Sequence, residues 1–440
     1  MNNTERLDLA KWVIGQTLKN GANEAAVDIA NTRDIDVSIR EHKPEELNES
    51  KRNYLSLSIY ANNRYSSSTT NDLRRESLGK FIAEMVAMTK YLNEDQYRSL
   101  PDPKYYKGQK TIDLNLYDPY YKEMTSDQRI KIAKTVEEAA LSKSDKIISC
   151  TSGFSDSMVE SVKVHSNGFE GTREASAFSF GAEVTIDDGT GGRPQDWSWV
   201  TVRHFKDLPA PEEIGYDATA RALTKIGQKK IDSGKYEMLV ENRTAARLLY
   251  GMHAPLTGRS LQQKSSFLEN KLGKRIGSEK FSLIDNPFIP KALGSRLYDG
   301  EGMATKKRYL IEKGILKSYL IDDYYAKKLG VEPTGGSYTN VEYDYGTMSL
   351  DDMIKKVTKG ILVTSFIGGN SNSTTGDYSY GIIGQLIEGG KIVGAVNEMN
   401  ISGNMAELWE QLIEVGNDPY QYSSLRQPSL YFQEIQFSGV

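Results

Sequence analysis

Hydrophobic residues recur along this chain with two different periods, and the changes of period divide it into helices and strands. Leu7, Ala10, Val13, Ile14 and Leu18 return at three- and four-residue steps, the spacing that gathers side chains on one face of an α-helix. Asn20-Gly21 supplies a left-handed stop. Ile35, Val37 and Ile39, and then Leu55, Leu57 and Ile59, alternate with polar residues, so each run predicts a strand with one buried face. Asn62-Asn63 predicts the turn into the next strand. Residues 72–92 go back to helical spacing, with Leu78, Phe81, Ile82, Met85, Val86 and Met88 mostly on one stripe. Such a stripe reads as core packing, not as a cofactor box.

Residues 93–125 are rich in Tyr, Asp and Lys, carry Pro101, Pro103 and Pro119, and hold no sustained period, which predicts a long connector. Ser126 is then expected to cap a helix carrying Ile130, Ala133, Val136 and Ala140. Several strand-like runs follow between residues 146 and 205. Among them, Asp187-Asp188-Gly189-Thr190-Gly191-Gly192 has the look of a phosphate loop, but no helix follows it, so a hairpin loop accounts for its glycines better. Pro209 and Pro211 introduce a further amphipathic helix through Ile226, and Asp232-Ser233-Gly234 marks a boundary. Beyond it the pattern is mainly of strands, with one well-marked helix after Asn242 built on Ala245, Leu248, Leu249 and Met252. Without regular β-α-β alternation the fold class is α+β: an N-terminal helix-plus-antiparallel-sheet domain followed by a mainly β C-terminal domain. The expected segments are 1–110, 111–231 packing with the first, and 232–440.

Composition narrows the function classes. With 440 residues, 38% hydrophobic and 26% charged, the chain has material for a substantial core and is not of disordered type. A net charge of −4 argues against a nucleic-acid binder, and Lys229-Lys230 and Lys306-Lys307-Arg308 read as solvated surface. No signal-type segment and no apolar run of spanning length is present, so a cytoplasmic protein without membrane contact is expected. The single cysteine, Cys150, ends an apolar run and reads as a small core residue. The four histidines, His42, His165, His204 and His253, never stand three to five residues apart, so a local zinc motif is absent. Neither a Gly-x-Ser-x-Gly elbow nor a Walker-type loop occurs.

Five segments, in order, carry a resemblance. They are Ser166-Asn167-Gly168-Phe169-Glu170-Gly171, residues 258–268 (Gly258-Arg259-Ser260-Leu261 through Phe267-Leu268), Asp299-Gly300-Glu301-Gly302-Met303-Ala304-Thr305, Thr375-Gly376-Asp377-Tyr378-Ser379 and Val415-Gly416-Asn417-Asp418. Together the chain resembles the TldD/PmbA family, once called modulators of DNA gyrase, over nearly its whole length. In the TldD branch, a His-Glu-x-x-x-His element on the helix early in the C-terminal domain binds zinc, with a late cysteine as a further ligand. Counted back from Pro255-Leu256-Thr257-Gly258, this chain has Leu249, Tyr250 and Ala254 at those positions, and no cysteine after Cys150. The resemblance therefore implies a PmbA (TldE)-like subunit with no catalytic or metal-binding residue of its own. Its implied partners are a zinc-bearing TldD-like metallopeptidase chain and an unfolded peptide. Alternatives are a homodimeric peptide-binding protein without protease activity, or a regulator of DNA gyrase. Candidate peptide or interface contacts are His253, Arg259, Asp377 and Tyr378. His253 lies about 80° from Ala245 on an ideal helix and reads as a hydrogen-bonded structural histidine. Residues 368–378 read as a loop beside a peptide cleft, and Pro255 is expected to push residue 254 out of helical conformation.

Overall fold

The computed structural model describes residues 1–439, and its first half is one antiparallel sheet with helices on one face. Helix α1 (Asn3–Lys19) opens on a reciprocal cap, in which the Asn2 and Glu5 side chains each accept from the other's backbone N–H. It buries Arg6, Leu9, Ala10, Val13, Ile14 and Thr17. Leu18 lies one step off that stripe and is exposed, a correction to the expected face. Strands β1 (Glu24–Arg40), β2 (Lys43–Ala61) and β3 (Arg64–Thr70) follow as consecutive hairpins. Their turns, Glu41-His42 and Asn62-Asn63, have positive φ at both residues, the two-residue geometry that matches strand twist. Helix α2 (Arg75–Thr89) is shorter than the pattern predicted and leaves Met88 exposed. Helix α3 (Ser126–Leu141) is capped by Thr125 and not by Ser126, since Thr125 and Gln128 make the reciprocal pair. Strands β4 (Ile147–His165), β5 (Glu170–Ile186) and β6 (Gln195–Val202) and helix α4 (Pro211–Leu223) complete this half. The sheet order is β3-β2-β1-β4-β5-β6.

Two cores line the helix-covered face. Helices α1 and α2 cover Val27, Ile29, Leu55, Leu57 and Ile59, and α3 and α4 cover Val37, Ile39, Phe154, Phe178 and Phe180. Cys150 sits in the second core, where burial pushes its thiol up to about 12 and it packs as a small apolar residue. Under α3, Arg129 Nε meets Asp156 Oδ2 at 2.5 Å with both side chains buried, and Arg129 also donates to the Met124 carbonyl. The turn between β5 and β6 is a hairpin loop in which the Asp188 carboxylate accepts from the N–H groups of Thr190 and Gly192.

The second half opens with β7 (Gly234–Val240), α5 (Asn242–Leu256) and α6 (Gly258–Gln262), then β8 (Leu283–Asp285), β9 (Arg308–Glu312) and β10 (Ile315–Leu316). Helix α7 (Asp323–Leu329), β11 (Val341–Glu342) and α8 (Leu350–Lys356) lead into the long strands β12 (Lys359–Ser371), β13 (Asp377–Glu388) and β14 (Lys391–Asn404). The chain ends on α9 (Met405–Glu410), β15 (Leu412–Val415) and β16 (Leu430–Ser438). Strands β14-β13-β12-β7-β16 close into a barrel, because β16 also pairs back to β14 at Asn400 and Ile401. A small sheet, β10-β9-β8-β11, stands beside it. No helix among the described residues is long and apolar enough to cross a membrane.

Residues 93–125 strap the halves together. The Tyr324 hydroxyl donates to Asp95 at 2.6 Å, Lys327 Nζ to Ser99 Oγ at 2.5 Å, and the N–H groups of Lys291 and Ala304 to the carbonyls of Leu114 and Tyr105. The β4–β5 turn docks on the 299–303 turn, with the Phe169 ring 5.1 Å from Tyr298. Gly302, at φ 78°, comes so close that a Cβ there would lie 2.9 Å from Phe169 Cγ. Beside them the Tyr106 hydroxyl bonds His165 Nδ1 at 3.0 Å, and Glu301 accepts from the Asp323 N–H. Burial lowers His165 to about 3. Burial, with Asp299, Asp322 and Asp323 near, raises Glu301 to about 8.

Two outcomes follow from these buried groups. Asp156→Ala strands the Arg129 cation in the core and should cost about 3–5 kcal/mol in urea unfolding. The junction should respond to pH with opposite slopes. Folded Glu301 keeps its proton to about pH 8 while its ordinary value is 4.5, so its contribution is full below that value and lost as pH rises through 8. Folded His165 stays neutral down to about pH 3 against an ordinary 6.5, so its contribution is full above 6.5 and lost as pH falls toward 3. Glu301→Gln should remove the alkaline decline of the urea midpoint and leave the acid side unchanged.

Candidate functional site

Helix α5 starts where Glu241, held by Arg221 through two bonds of 2.6 and 3.0 Å, turns the chain out of β7. Ala245, Leu248, Leu249, Met252 and Leu256 are all fully buried against the barrel. That stripe fixes the rotation of the helix, so Tyr250 (58% exposed) and Ala254 face outward. The helix carries through Pro255 and ends at Thr257, which is extended at ψ 145°. Residue 254 is therefore helical, a correction to the expected break. A proline in the last turn is tolerated here because the missing N–H leaves only one helical carbonyl without its helical partner.

At the three metal-motif positions Leu249, Tyr250 and Ala254 supply no imidazole, carboxylate or thiolate. Leu249 and Ala254 are five residues apart, which turns them about 140° from each other on a helix; one points into the core and the other out. Counting one residue earlier gives Leu248, Leu249 and His253, of which both leucines are buried. Among the described residues no three His, Cys, Asp or Glu side chains are grouped to hold a metal ion. His253 is half-buried and sets its ring edge to Tyr338 at 4.9 Å, and burial lowers its pKa. No hydrogen bond to its ring is present among the described residues. It is thus held by ring packing, a correction to the expected hydrogen-bonded role.

Beside α5 runs the distal half of β12. Strand β7 pairs with β12 only over residues 360–363, so from Thr364 onward that edge faces the helix. The Thr364 carbonyl accepts from Thr244 Oγ1 at 2.8 Å, and Arg247 Nη2 donates to the carbonyls of Gly368 (3.2 Å) and Gly369 (3.0 Å). Arg247 also lies 4.8 Å over the Tyr380 ring. A groove of about 540 Å³ opens at the strand end, lined by Asn370, Ser371, Asn372, Ser373, Asp377, Tyr378 and Ser379.

Residues 368–378 are not a loop: β12 runs through Ser371, β13 starts at Asp377, and only a tight turn lies between. Its Asn372 carbonyl accepts from the Gly376 N–H at 2.8 Å. Asp377 serves the turn, accepting from Thr375 Oγ1 (2.7 Å) and Asn404 Nδ2 (3.1 Å), bonds that hold its carboxyl below the usual range. Tyr378 is largely buried and stacked on Tyr380 at 5.4 Å, and it lines the groove at the strand end. Arg259 is exposed on α6. Arg247 went unread in the sequence. Its signal was a basic pair with Arg243, four residues apart on the polar face of α5.

Comparison with known proteins agrees with this architecture. The profile of the PmbA/TldA metallopeptidase C-terminal domain matches residues 233–439, and that of the central domain matches residues 119–226. The chain belongs to the PmbA/TldD family. It is 30% identical to Metalloprotease PmbA of Escherichia coli O157:H7, over 96% of this chain and 94% of that one. It is 26% identical to a Metalloprotease TldD homolog of Buchnera aphidicola, over 70% of each. A candidate modulator of DNA gyrase from Bacteroides thetaiotaomicron superposes with a TM-score of 0.97 at 42% identity, covering 100% of both chains. TldE from Thermococcus kodakarensis shares the fold, with a TM-score of 0.88 at 22% identity over 98% of this chain and 100% of that one.

Within this PmbA/TldD chain the two faces of α5 can be told apart by mutation. Leu249→His places an imidazole in the core and should lose about 2–4 kcal/mol of stability, whereas Ala254→His should stay within about 0.5 kcal/mol of the parent. The triple variant Leu249→His, Tyr250→Glu, Ala254→His should bind zinc weakly in titration and hydrolyse peptide at background rate.

Proposed function

We propose that this chain is a PmbA/TldE-like noncatalytic subunit of a TldD-type zinc metallopeptidase complex that degrades unfolded peptides in the cytoplasm. The reading is carried by one observation: the metal-motif positions on α5 hold Leu249, Tyr250 and Ala254. Those residues offer no imidazole, carboxylate or thiolate donor, so the zinc and the water it activates belong to the TldD-like partner. The match to Metalloprotease PmbA along 96% of this chain supports the PmbA-like assignment.

This chain's contribution is then to the walls of a peptide cleft. Strand β12 from Thr364 onward presents an edge without a strand neighbour, and an extended peptide held by main-chain bonds on such an edge is gripped with little regard to its side chains. The net charge of −4 is consistent with a partner that is protein and not nucleic acid.

Co-purification from the native host tests the assignment. A zinc-containing TldD-like chain should be recovered in equal amount, and the mixture should cleave an unfolded peptide in a chelator-sensitive way. The isolated chain should hold no zinc after dialysis against a chelator and should cleave nothing. Chelator-sensitive hydrolysis by the isolated chain would overturn the reading.

A further inference from the structure

The basic run Lys306-Lys307-Arg308 reads as plain surface in the sequence, but the fold makes it one wall of a cavity. That cavity, of about 390 Å³, lies where residues 104–107 of the strap face the start of β9 and residues 333–339. Its volume is that of a small-molecule site. Seven cationic side chains line it against two carboxylates, Asp285 and Asp299, on a chain whose net charge is −4. Four of the seven are engaged. Lys104 meets Glu332 at 3.3 Å, Lys317 meets Glu312 at 3.1 Å and Arg308 meets Asp285 at 3.3 Å, while Arg296 donates to Ser337 Oγ (2.9 Å) and the Tyr338 carbonyl (2.8 Å). Lys107, Lys306 and Lys307 are exposed, and their ammonium groups make no ion pair or hydrogen bond among the described residues.

We propose that this cavity binds a small molecule carrying a di- or triphosphate group. Lysine ammonium groups act on phosphate as point charges, and guanidinium forks match its oxygens. Burial lowers the pKa of Arg296 and of Arg308, so each cation is held at a cost that an anion in the cavity offsets. Ser337 Oγ accepts from Arg296 and gives its own proton to no group among the described residues, which leaves it a donor for the ligand. The lining thus offers donors where a phosphate offers acceptors. A single phosphate ester carries only about −1.5 to −2 at pH 7, so three unengaged ammonium groups suit two or more linked phosphates. Lys104 and Lys107 come from the strap and the other five cations from the second half, so the bound anion ties the halves together. No residue of α5 or β12 lines the cavity, which keeps it separate from the peptide edge.

Inorganic triphosphate and pyrophosphate, titrated into the full chain by calorimetry, should each bind at one site per chain. Both should bind about tenfold or more tighter than orthophosphate, and more weakly as salt rises. Each should raise the unfolding temperature and slow hydrogen exchange at residues 104–107. Lys306→Glu with Lys307→Glu, and separately Lys107→Glu, should raise the triphosphate dissociation constant about tenfold or more. Because these ammonium groups are free, both variants should unfold at the temperature of the ligand-free parent. Lys229→Glu with Lys230→Glu makes the same change of charge outside the cavity and should leave binding as it is. Absence of triphosphate binding, equal losses from the two double variants, or a hexaglutamate peptide that binds as tightly as triphosphate would each overturn the proposal.

Discussion

The rotation of α5 about its own axis is the constraint from which the functional surface follows. Five buried side chains, Ala245, Leu248, Leu249, Met252 and Leu256, set it, and each large one contributes about 1.5–3 kcal/mol by leaving water. Close approach accompanies the setting. A Cβ at Gly251 would lie 2.4 Å from Met405 Cε, so a larger residue there requires the methionine tip to move. Turning the helix to bring Leu249 outward would expose the rest of the stripe. The outward face is consequently fixed as Arg247, Tyr250 and Ala254.

Long elements with a strong period were legible in the sequence, and short or tertiary features were not. The stripes of α1 and α5 and the alternation of β1 and β2 each span enough residues to show their face. The cap of α3 was misread at Ser126, although Thr125 and Gln128 have the three-residue separation of a reciprocal cap that Ser126 lacks. Residues 368–378 misled because Gly, Asn and Ser are loop-forming by composition. There Gly368 and Gly369 make an irregularity inside a strand, and the alternation of Tyr378, Tyr380 and Ile382 was the better guide. The ring partner of His253 is Tyr338, far along the chain, and no local pattern announces it. The small sheet β10-β9-β8-β11 is built of strands two to five residues long, too short for a period to appear.

The segments that carry the family resemblance turn out to be backbone devices. Residues 166–171 and 299–305 dock on each other at the junction of the halves, around Phe169 and Gly302. Residues 375–379 tie the β12–β13 turn, and Asp418 accepts from the N–H and hydroxyl of Ser429. Each demands particular residues for the sake of a close approach or a positive φ. This explains how a chain can keep the family's motifs and its fold while its metal-motif positions hold Leu, Tyr and Ala.

The peptide edge invoked in the proposed function is likewise built from main-chain groups. Along the open edge of β12 the carbonyls of Thr364, Gly368 and Gly369 are occupied by Thr244 and Arg247. The last two are exposed bonds from a single guanidinium. Gly369 is required at its position, since a Cβ there would lie 2.1 Å from the Ser379 carbonyl, so the shape of the strand end does not depend on side-chain choice. Under the proposed function, an extended peptide entering this edge would displace Arg247 and replace its bonds with backbone N–H donors, an exchange whose net cost is small because exposed hydrogen bonds contribute only about 0.5–1.5 kcal/mol. Binding of that kind would be weak and indifferent to sequence, the property that the proposed wall of a cleft for unfolded peptides needs.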